Sequence, residues 1–137
     1  MSETGGCLCG KIRYQFDRDQ VMASGHCHCR DCQRATGSGK ATIVFVPTSA
    51  LSVEGEYRTW TVLGSDGTRV SRGFCPDCGS QVLSYVAEQP DVRFIKAGSL
   101  DDSAWVQAQA SYWEASAQKW DPVDPELPAY PGNPPAS

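Results

Sequence analysis

The chain has 137 residues, of which 40% are hydrophobic, and this is enough for one modest core but short for two full domains. Acidic residues outnumber basic ones, the formal net charge is −4, and no lysine or arginine cluster is dense enough to follow a phosphate backbone, so we expect no nucleic acid partner. No apolar run approaches the ~20 residues that cross a bilayer, and the first six residues lack the basic start and apolar stretch of a leader. We therefore expect a cytoplasmic protein without a membrane partner.

Short strands are the main predicted elements, because several segments alternate or are rich in β-branched and aromatic residues. The separators between them carry turn residues and are mostly short, which favours antiparallel neighbours. We expect a mainly β fold made of small antiparallel sheets. The predicted strands, in chain order, cover residues 11–16, 41–46, 57–63, 69–74, 81–86 and 92–97.

Helices are predicted to be few and short, because no apolar pattern with helical spacing lasts more than about three turns. One is expected over residues 31–36, with Asp31 capping its start, and a second near Ala104, capped by residues 101–103. From Asp121 onward repeated proline forbids a regular ladder. We therefore divide the chain into a domain over residues 1–120 and a proline-rich C-terminal tail over residues 121–137, laid on the domain or loose.

Seven cysteines dominate the chemistry of the sequence, and their odd number in a chain expected to be cytoplasmic favours metal binding over disulfides. Cys7 with Cys9, and Cys75 with Cys78, form two pairs that together supply the four thiolates of a tetrahedral zinc site. The second pair lies on a Cys-Pro-x-Cys-Gly turn, whose proline and glycine let the backbone fold around an ion. We call these four residues the first cysteine group and predict a structural zinc.

The other three cysteines, Cys27, Cys29 and Cys32, form the second cysteine group within six residues. Three protein ligands leave one position for water or substrate, as in catalytic zinc sites. Two alternatives stay open: all seven residues could be reduced core thiols, or His26 or another residue could complete the second site and make it structural. In an extended segment His26 and His28 would point away from the sulfurs of Cys27 and Cys29, which favours the open site and places His28 in contact with the ligands or facing solvent.

A zinc ion with three thiolates carries a formal charge of −1 on the unit and acidifies water less than one held by neutral histidines, so hydrolysis is not its natural task. It is suited to accept a fourth sulfur and to stabilise a substrate thiol as its anion. We therefore expect carbon–sulfur bond making or breaking. Arg30, Arg34 and Lys40 flank the group and are weak candidates for contacts with substrate carboxylates, the alternative being ordinary solvated side chains.

Three phrases of the sequence resemble the glutathione-dependent formaldehyde-activating enzyme family, whose domain centromere protein V also carries. They are residues 6–10 (GCLCG), 27–38 (CHCRDCQRATGS) and 73–80 (GFCPDCGS), followed by AGSLDD at 97–102. The resemblance implies a β-tent fold with two zinc ions per chain, a structural one in the first cysteine group and a catalytic one in the second.

The same resemblance implies an activity, the condensation of glutathione with formaldehyde to S-hydroxymethylglutathione, which is formally that of a carbon–sulfur lyase. It agrees with the chemistry expected of three thiolates. Two other functions remain open at this point: a non-catalytic, zinc-stabilised binding or scaffold domain, and a sensor of thiols or metals.

Overall fold

The computed structural model describes residues 1–64 and 66–133, so residues 134–137 of the predicted tail lie outside the described part of the chain. The strands are β1 (Ser2–Gly6), β2 (Arg13–Asp17), β3 (Ala23–Cys27), β4 (Ala41–Pro47), β5 (Ser52–Glu54), β6 (Arg58–Leu63), β7 (Arg69–Phe74), β8 (Gln81–Val86), β9 (Val92–Lys96) and β10 (Ser111–Tyr112). The α-helix of the described residues is α1 (Arg30–Thr36). Short 3-10 helices cover Arg18–Gln20, Thr48–Ala50, Ala97–Ser99 and Glu114–Ser116.

The expected mainly β class is confirmed, and every predicted strand corresponds to an observed one. The helix predicted over residues 31–36 is also confirmed as α1. The helix predicted near Ala104 is wrong: the Asp102 carboxylate accepts a hydrogen bond from the Ala104 amide at 3.0 Å, which closes a turn instead. No helix of the described residues combines the length and the apolar character that crossing a bilayer requires.

The described chain forms two compact units. The first comprises residues 1–22 and 44–105, and the second comprises residues 23–43 and the chain from Val106 onward. The division falls inside β4, after Ile43. Each of the two cysteine groups lies within a single unit.

The first unit contains a three-stranded antiparallel sheet in the order β1, β2, β5. Its strand β1 was not predicted from the sequence. Residues of β1 are polar or glycine, yet β1 pairs with β2 along its whole length. The Glu3 side chain is buried and forms an ion pair with Arg18 at 2.9 Å. A charged residue therefore occupies an inward-facing position at which the alternating pattern of a strand would place an apolar one. The end of β1 delivers the chain to Cys7.

The larger sheet of the first unit has the strand order β4, β9, β8, β7, β6 and supplies most of its core. Its central strands are rich in β-branched residues and leucine, and their buried side chains include Val82, Leu83 and Ile95. Leu83 and Ile95 are partners in the antiparallel register of β8 and β9. Strands β7 and β8 are joined by the turn that carries the second cysteine pair, so this core fixes the position of that turn.

In the second unit β3 lies between β10 and β4, and it runs parallel to β10. The C-terminal segment lies on this unit: the Ser111 amide donates to Pro128 O and the Tyr130 amide donates to Ser111 O, both at 2.9 Å. The rings of Tyr112 and Tyr130 stack with centroids 5.8 Å apart. These backbone bonds join the C-terminal segment to one edge of β10, and the other edge of β10 pairs with β3, the strand that ends at Cys27.

The phrase AGSLDD belongs to a hydrogen-bond cluster of the first unit that is part-buried at Ser99 and exposed at Asp101. The Tyr14 hydroxyl lies 2.6 Å from Ser99 Oγ, which donates to Lys96 O at 2.7 Å, so the tyrosine proton is directed to the serine. Asp101 accepts hydrogen bonds from Arg13 and Thr4. These residues join β1 and β2 to the segment after β9, which gives the phrase a structural role.

Replacing Tyr14 by phenylalanine is expected to lower the free energy of unfolding by about 1 kcal/mol near neutral pH, because one buried hydrogen bond is lost. Burial raises the pKa of Tyr14 to about 12, from 10.0 in the unfolded chain. Since the folded state then holds the proton more tightly, this contribution is present below pH 10 and is lost as pH rises towards 12. Denaturant titrations across this range should show a steeper loss in the parent than in Tyr14→Phe, and parallel curves would contradict the assignment.

Candidate metal centres

The first cysteine group is assembled by two turns of the first unit. Cys7 and Cys9 follow β1, and Cys75 and Cys78 lie between β7 and β8. Their four sulfur atoms all lie within 4.8 Å of one another. The two pairs that the sequence places far apart are therefore brought together in one cluster that could hold a metal ion.

The spacing of these sulfurs fits a tetrahedral ion. Cys7 Sγ lies 3.6 Å from Cys9 Sγ, and Cys9 Sγ lies 3.7 Å from Cys75 Sγ. A tetrahedron with zinc–sulfur bonds of about 2.3 Å has sulfur–sulfur edges of ~3.8 Å, close to both distances. Both turns end on a glycine in the left-handed region, Gly10 with φ 82° and Gly79 with φ 78°, a conformation that lets the backbone curl around the sulfurs.

Ser80 connects the two turns and was not singled out from the sequence. Its hydroxyl accepts a hydrogen bond from the Leu8 amide at 3.0 Å and lies 3.2 Å from Cys78 Sγ. Hydrogen bonds from Ser80 lower the pKa of the Cys78 thiol to about 5, since they stabilise its thiolate. The signal in the sequence was the small hydroxyl residue directly after the Cys-Pro-x-Cys-Gly turn.

The second cysteine group lies in the second unit, where β3 leads into α1. Cys27 is the last residue of β3, Cys29 precedes α1 and Cys32 lies in its first turn. Their three sulfurs lie within 4.8 Å of one another. Cys32 is buried, while Cys27 and Cys29 are partly exposed, so the group is within reach of solvent.

The start of α1 is capped by a cysteine. Cys29 Sγ accepts a hydrogen bond from the Cys32 amide at 3.2 Å, and Asp31 lies inside the first turn. The expectation that Asp31 caps this helix is therefore wrong. The physical reason is that the N-cap residue precedes the first helical residue, and here that position is occupied by a candidate metal ligand.

Electrostatics of the second group favour a cation. Hydrogen bonds between the Cys27 thiol and the sulfurs of Cys29 and Cys32, followed by burial and by repulsion from the neighbouring thiolates, raise the pKa of Cys27 far above its usual range. A dication among the three sulfurs removes that repulsion. The donor set, soft and anionic, matches zinc among the divalent ions that proteins commonly hold.

Neither histidine belongs to the second group. His26 Nδ1 lies 2.8 Å from Thr42 Oγ1, on the neighbouring strand β4. His28 is buried, with 1% of its surface exposed, so the expected alternative in which it faces solvent is wrong. Among the described residues, the cluster of metal-ligating side chains at this place contains the three cysteines and no fourth protein ligand.

The three basic residues that flank the second group differ in their surroundings. Lys40 Nζ forms an ion pair with Asp121 at 2.7 Å, so its charge is already matched. Arg30 and Arg34 are exposed on α1, four residues apart. Arg30 donates a hydrogen bond to Gln33 Oε1, whereas Arg34 has no hydrogen bond or ion pair to another described residue.

Comparison with known proteins finds relatives that are similar in sequence and in fold. The chain is 25% identical over 107 residues to a putative glutathione-dependent formaldehyde-activating enzyme of Penicillium rubens, a match that covers 75% of this chain and 56% of that protein. The chain thus spans little more than half the length of this relative. A crystal structure of a Rhodobacter sphaeroides protein is similar in fold, with a TM-score of 0.57, 18% identity, and coverage of 93% of this chain and 99% of that one.

The family model described as glutathione-dependent formaldehyde-activating enzyme matches residues 2–116. This range includes both cysteine groups and the segment that joins them. The family is named for an enzyme activity that depends on a thiol. On the strength of a match over most of its length, this chain belongs to the glutathione-dependent formaldehyde-activating enzyme family.

Proposed function

We propose that the protein is a zinc-dependent carbon–sulfur lyase that acts on the adduct of a thiol and a small aldehyde, with glutathione and formaldehyde as the reference pair. The observation that carries the proposal is the uneven division of seven sulfurs into a group of four and a group of three. Four thiolates complete a tetrahedral site, and three leave one position to an external ligand. The first group is assigned to a structural zinc ion and the second to a catalytic one.

A zinc ion held by Cys27, Cys29 and Cys32 would lower the pKa of a substrate thiol and so supply the thiolate nucleophile at neutral pH. In the forward direction a carbon–sulfur bond forms, the carbonyl π bond breaks and the thiol proton ends on the former carbonyl oxygen. The reverse direction returns thiol and aldehyde. Such chemistry requires reduced sulfurs, in keeping with a cytoplasmic location.

The chain contributes position and charge to this reaction. Cys27 and Cys29 are exposed enough for a substrate sulfur to approach, and Cys32 is fixed by the first turn of α1. Arg30 and Arg34 place two positive charges on exposed positions of the same helix, close in sequence to the three cysteines. We assign them to the carboxylates of a peptide thiol, and we leave Lys40 out because its charge is paired with Asp121.

The assay that tests the proposal follows glutathione and formaldehyde by NMR exchange spectroscopy, with and without the zinc-loaded protein. We expect S-hydroxymethylglutathione to form and decay faster than it does spontaneously, and we expect glutathione binding to be measurable by calorimetry. No acceleration together with no thiol binding would contradict the proposed activity for this pair. Two zinc ions per chain without thiol binding would instead favour a scaffold domain in which both ions only stabilise the fold.

A further inference from the structure

Gln33 is a buried polar residue directly after Cys32, with 4% of its surface exposed. Its side-chain amide uses both of its N–H groups on backbone carbonyls. Gln33 Nε2 donates to His28 O at 2.8 Å and to Ser116 O at 2.9 Å. A buried amide with both donors satisfied by main-chain acceptors fixes the two segments that carry those acceptors.

The carbonyl oxygen of the same side chain is also occupied. Gln33 Oε1 accepts hydrogen bonds from Gln118 Nε2 at 3.1 Å and from the Arg30 guanidinium. The Gln33 side chain is therefore hydrogen-bonded to three parts of the second unit: the loop between two of the cysteines, the start of α1 and the C-terminal segment around residues 116–118. No other described side chain near the second cysteine group makes this set of contacts.

The bond from Gln33 to His28 O matters because of where His28 lies in the second cysteine group. His28 lies between Cys27 and Cys29, so its carbonyl group belongs to the loop that sets the distance between their sulfurs. Its amide donates to Tyr112 O at 2.9 Å, so the peptide chain at His28 is held on both sides, by β10 and by Gln33. Loss of the Gln33 bond would leave one side of this loop without its anchor and one buried carbonyl with one partner fewer.

The geometry points to Gln33 as a positioning residue that holds the loop between Cys27 and Cys29 in the shape in which the three sulfurs converge. This inference rests on the proposed assignment of an ion to the second cysteine group. Gln33 touches no sulfur in this role and acts through the backbone of His28. It is expected to determine how tightly the second ion is held and to have no effect on the first.

The test measures the release of zinc from the loaded protein to a chromogenic chelator, which should occur in two phases, one for each cysteine group. In Gln33→Met, which keeps the length of the side chain and removes its hydrogen bonds, we expect the phase of the second group to be about 10–100-fold faster. Gln33→Glu keeps the acceptor oxygen but cannot donate to His28 O, so the same acceleration is expected. The phase of the first group should be unchanged and reports that the fold is intact.

Gln118→Met is the matched control, because it removes only the bond to Gln33 Oε1 and leaves both donor bonds in place. We expect its release to match that of the parent. Two phases at parental rates in both Gln33 variants, or equal acceleration in Gln118→Met, would overturn the inference while leaving the proposed function untouched. A single phase in the parent, with one zinc ion per chain, would contradict the assignment of the second ion itself.

Discussion

Replacing Cys75 by serine is expected to leave no stably folded protein. Cys75 has 1% of its surface exposed. It lies in the turn that joins β7 to β8 and carries two of the four residues of the first cysteine group. A structural zinc ion contributes about 10–16 kcal/mol of binding free energy that exists only in the folded chain. Whole domains are stable by only about 5–15 kcal/mol, so loss of most of that binding is as large as the whole free energy of unfolding.

The matched control for this variant is Asp77→Asn, in the same turn. Asp77 is exposed and forms a surface ion pair with Lys11 at 2.9 Å, an interaction that contributes little to stability. Circular dichroism, zinc content and the yield of soluble protein should be those of the parent in Asp77→Asn and should collapse in Cys75→Ser. A well-folded Cys75→Ser protein that keeps both ions would refute the structural assignment of the first group.

Strands with a strong local pattern were predicted from the sequence, and strands that depend on their partners were not. β7 and β8 have the predicted bounds, because turn residues bound both strands and β8 also carries valine and tyrosine, which favour strands. β1 and β3 consist of small and polar residues and become strands only because β2, β4 and β10 offer them backbone partners. Such pairing is set by tertiary structure, which overrides local propensity.

The candidate sites follow the same division. The grouping of the sulfurs could be read from spacing, because a chelating pair or triplet of cysteines is a local feature with few alternatives. The roles of Ser80 and Gln33 could not be read in this way, since each side chain joins a near neighbour in the chain to a group 72 or 83 residues away. Residues that orient ligands are as much a part of a metal site as the ligands, and they are visible only in the folded protein.

Cys29→Ser should have the opposite phenotype to Cys75→Ser, although the chemical change is the same. Serine is a favourable N-cap, so its hydroxyl can replace Cys29 Sγ as acceptor of the Cys32 amide and α1 should persist. The second group then retains two sulfurs, and we expect the zinc content to fall from about two ions to about one per chain with the first ion kept. Thiol–aldehyde exchange should fall to the spontaneous rate.

Asp31→Ser is the control for the cysteine substitution, because Asp31 is exposed in the same turn and is no member of the sulfur cluster. It should keep both ions and the full rate. If Cys29→Ser unfolds as Cys75→Ser does, both ions are structural and the scaffold function becomes the better description. If Cys29→Ser folds, loses one ion and still accelerates exchange, the reaction takes place elsewhere on the protein. A folded, inactive variant with one ion is the result that fits the proposal, in which four sulfurs hold a structural ion and three hold the ion that binds the substrate thiol.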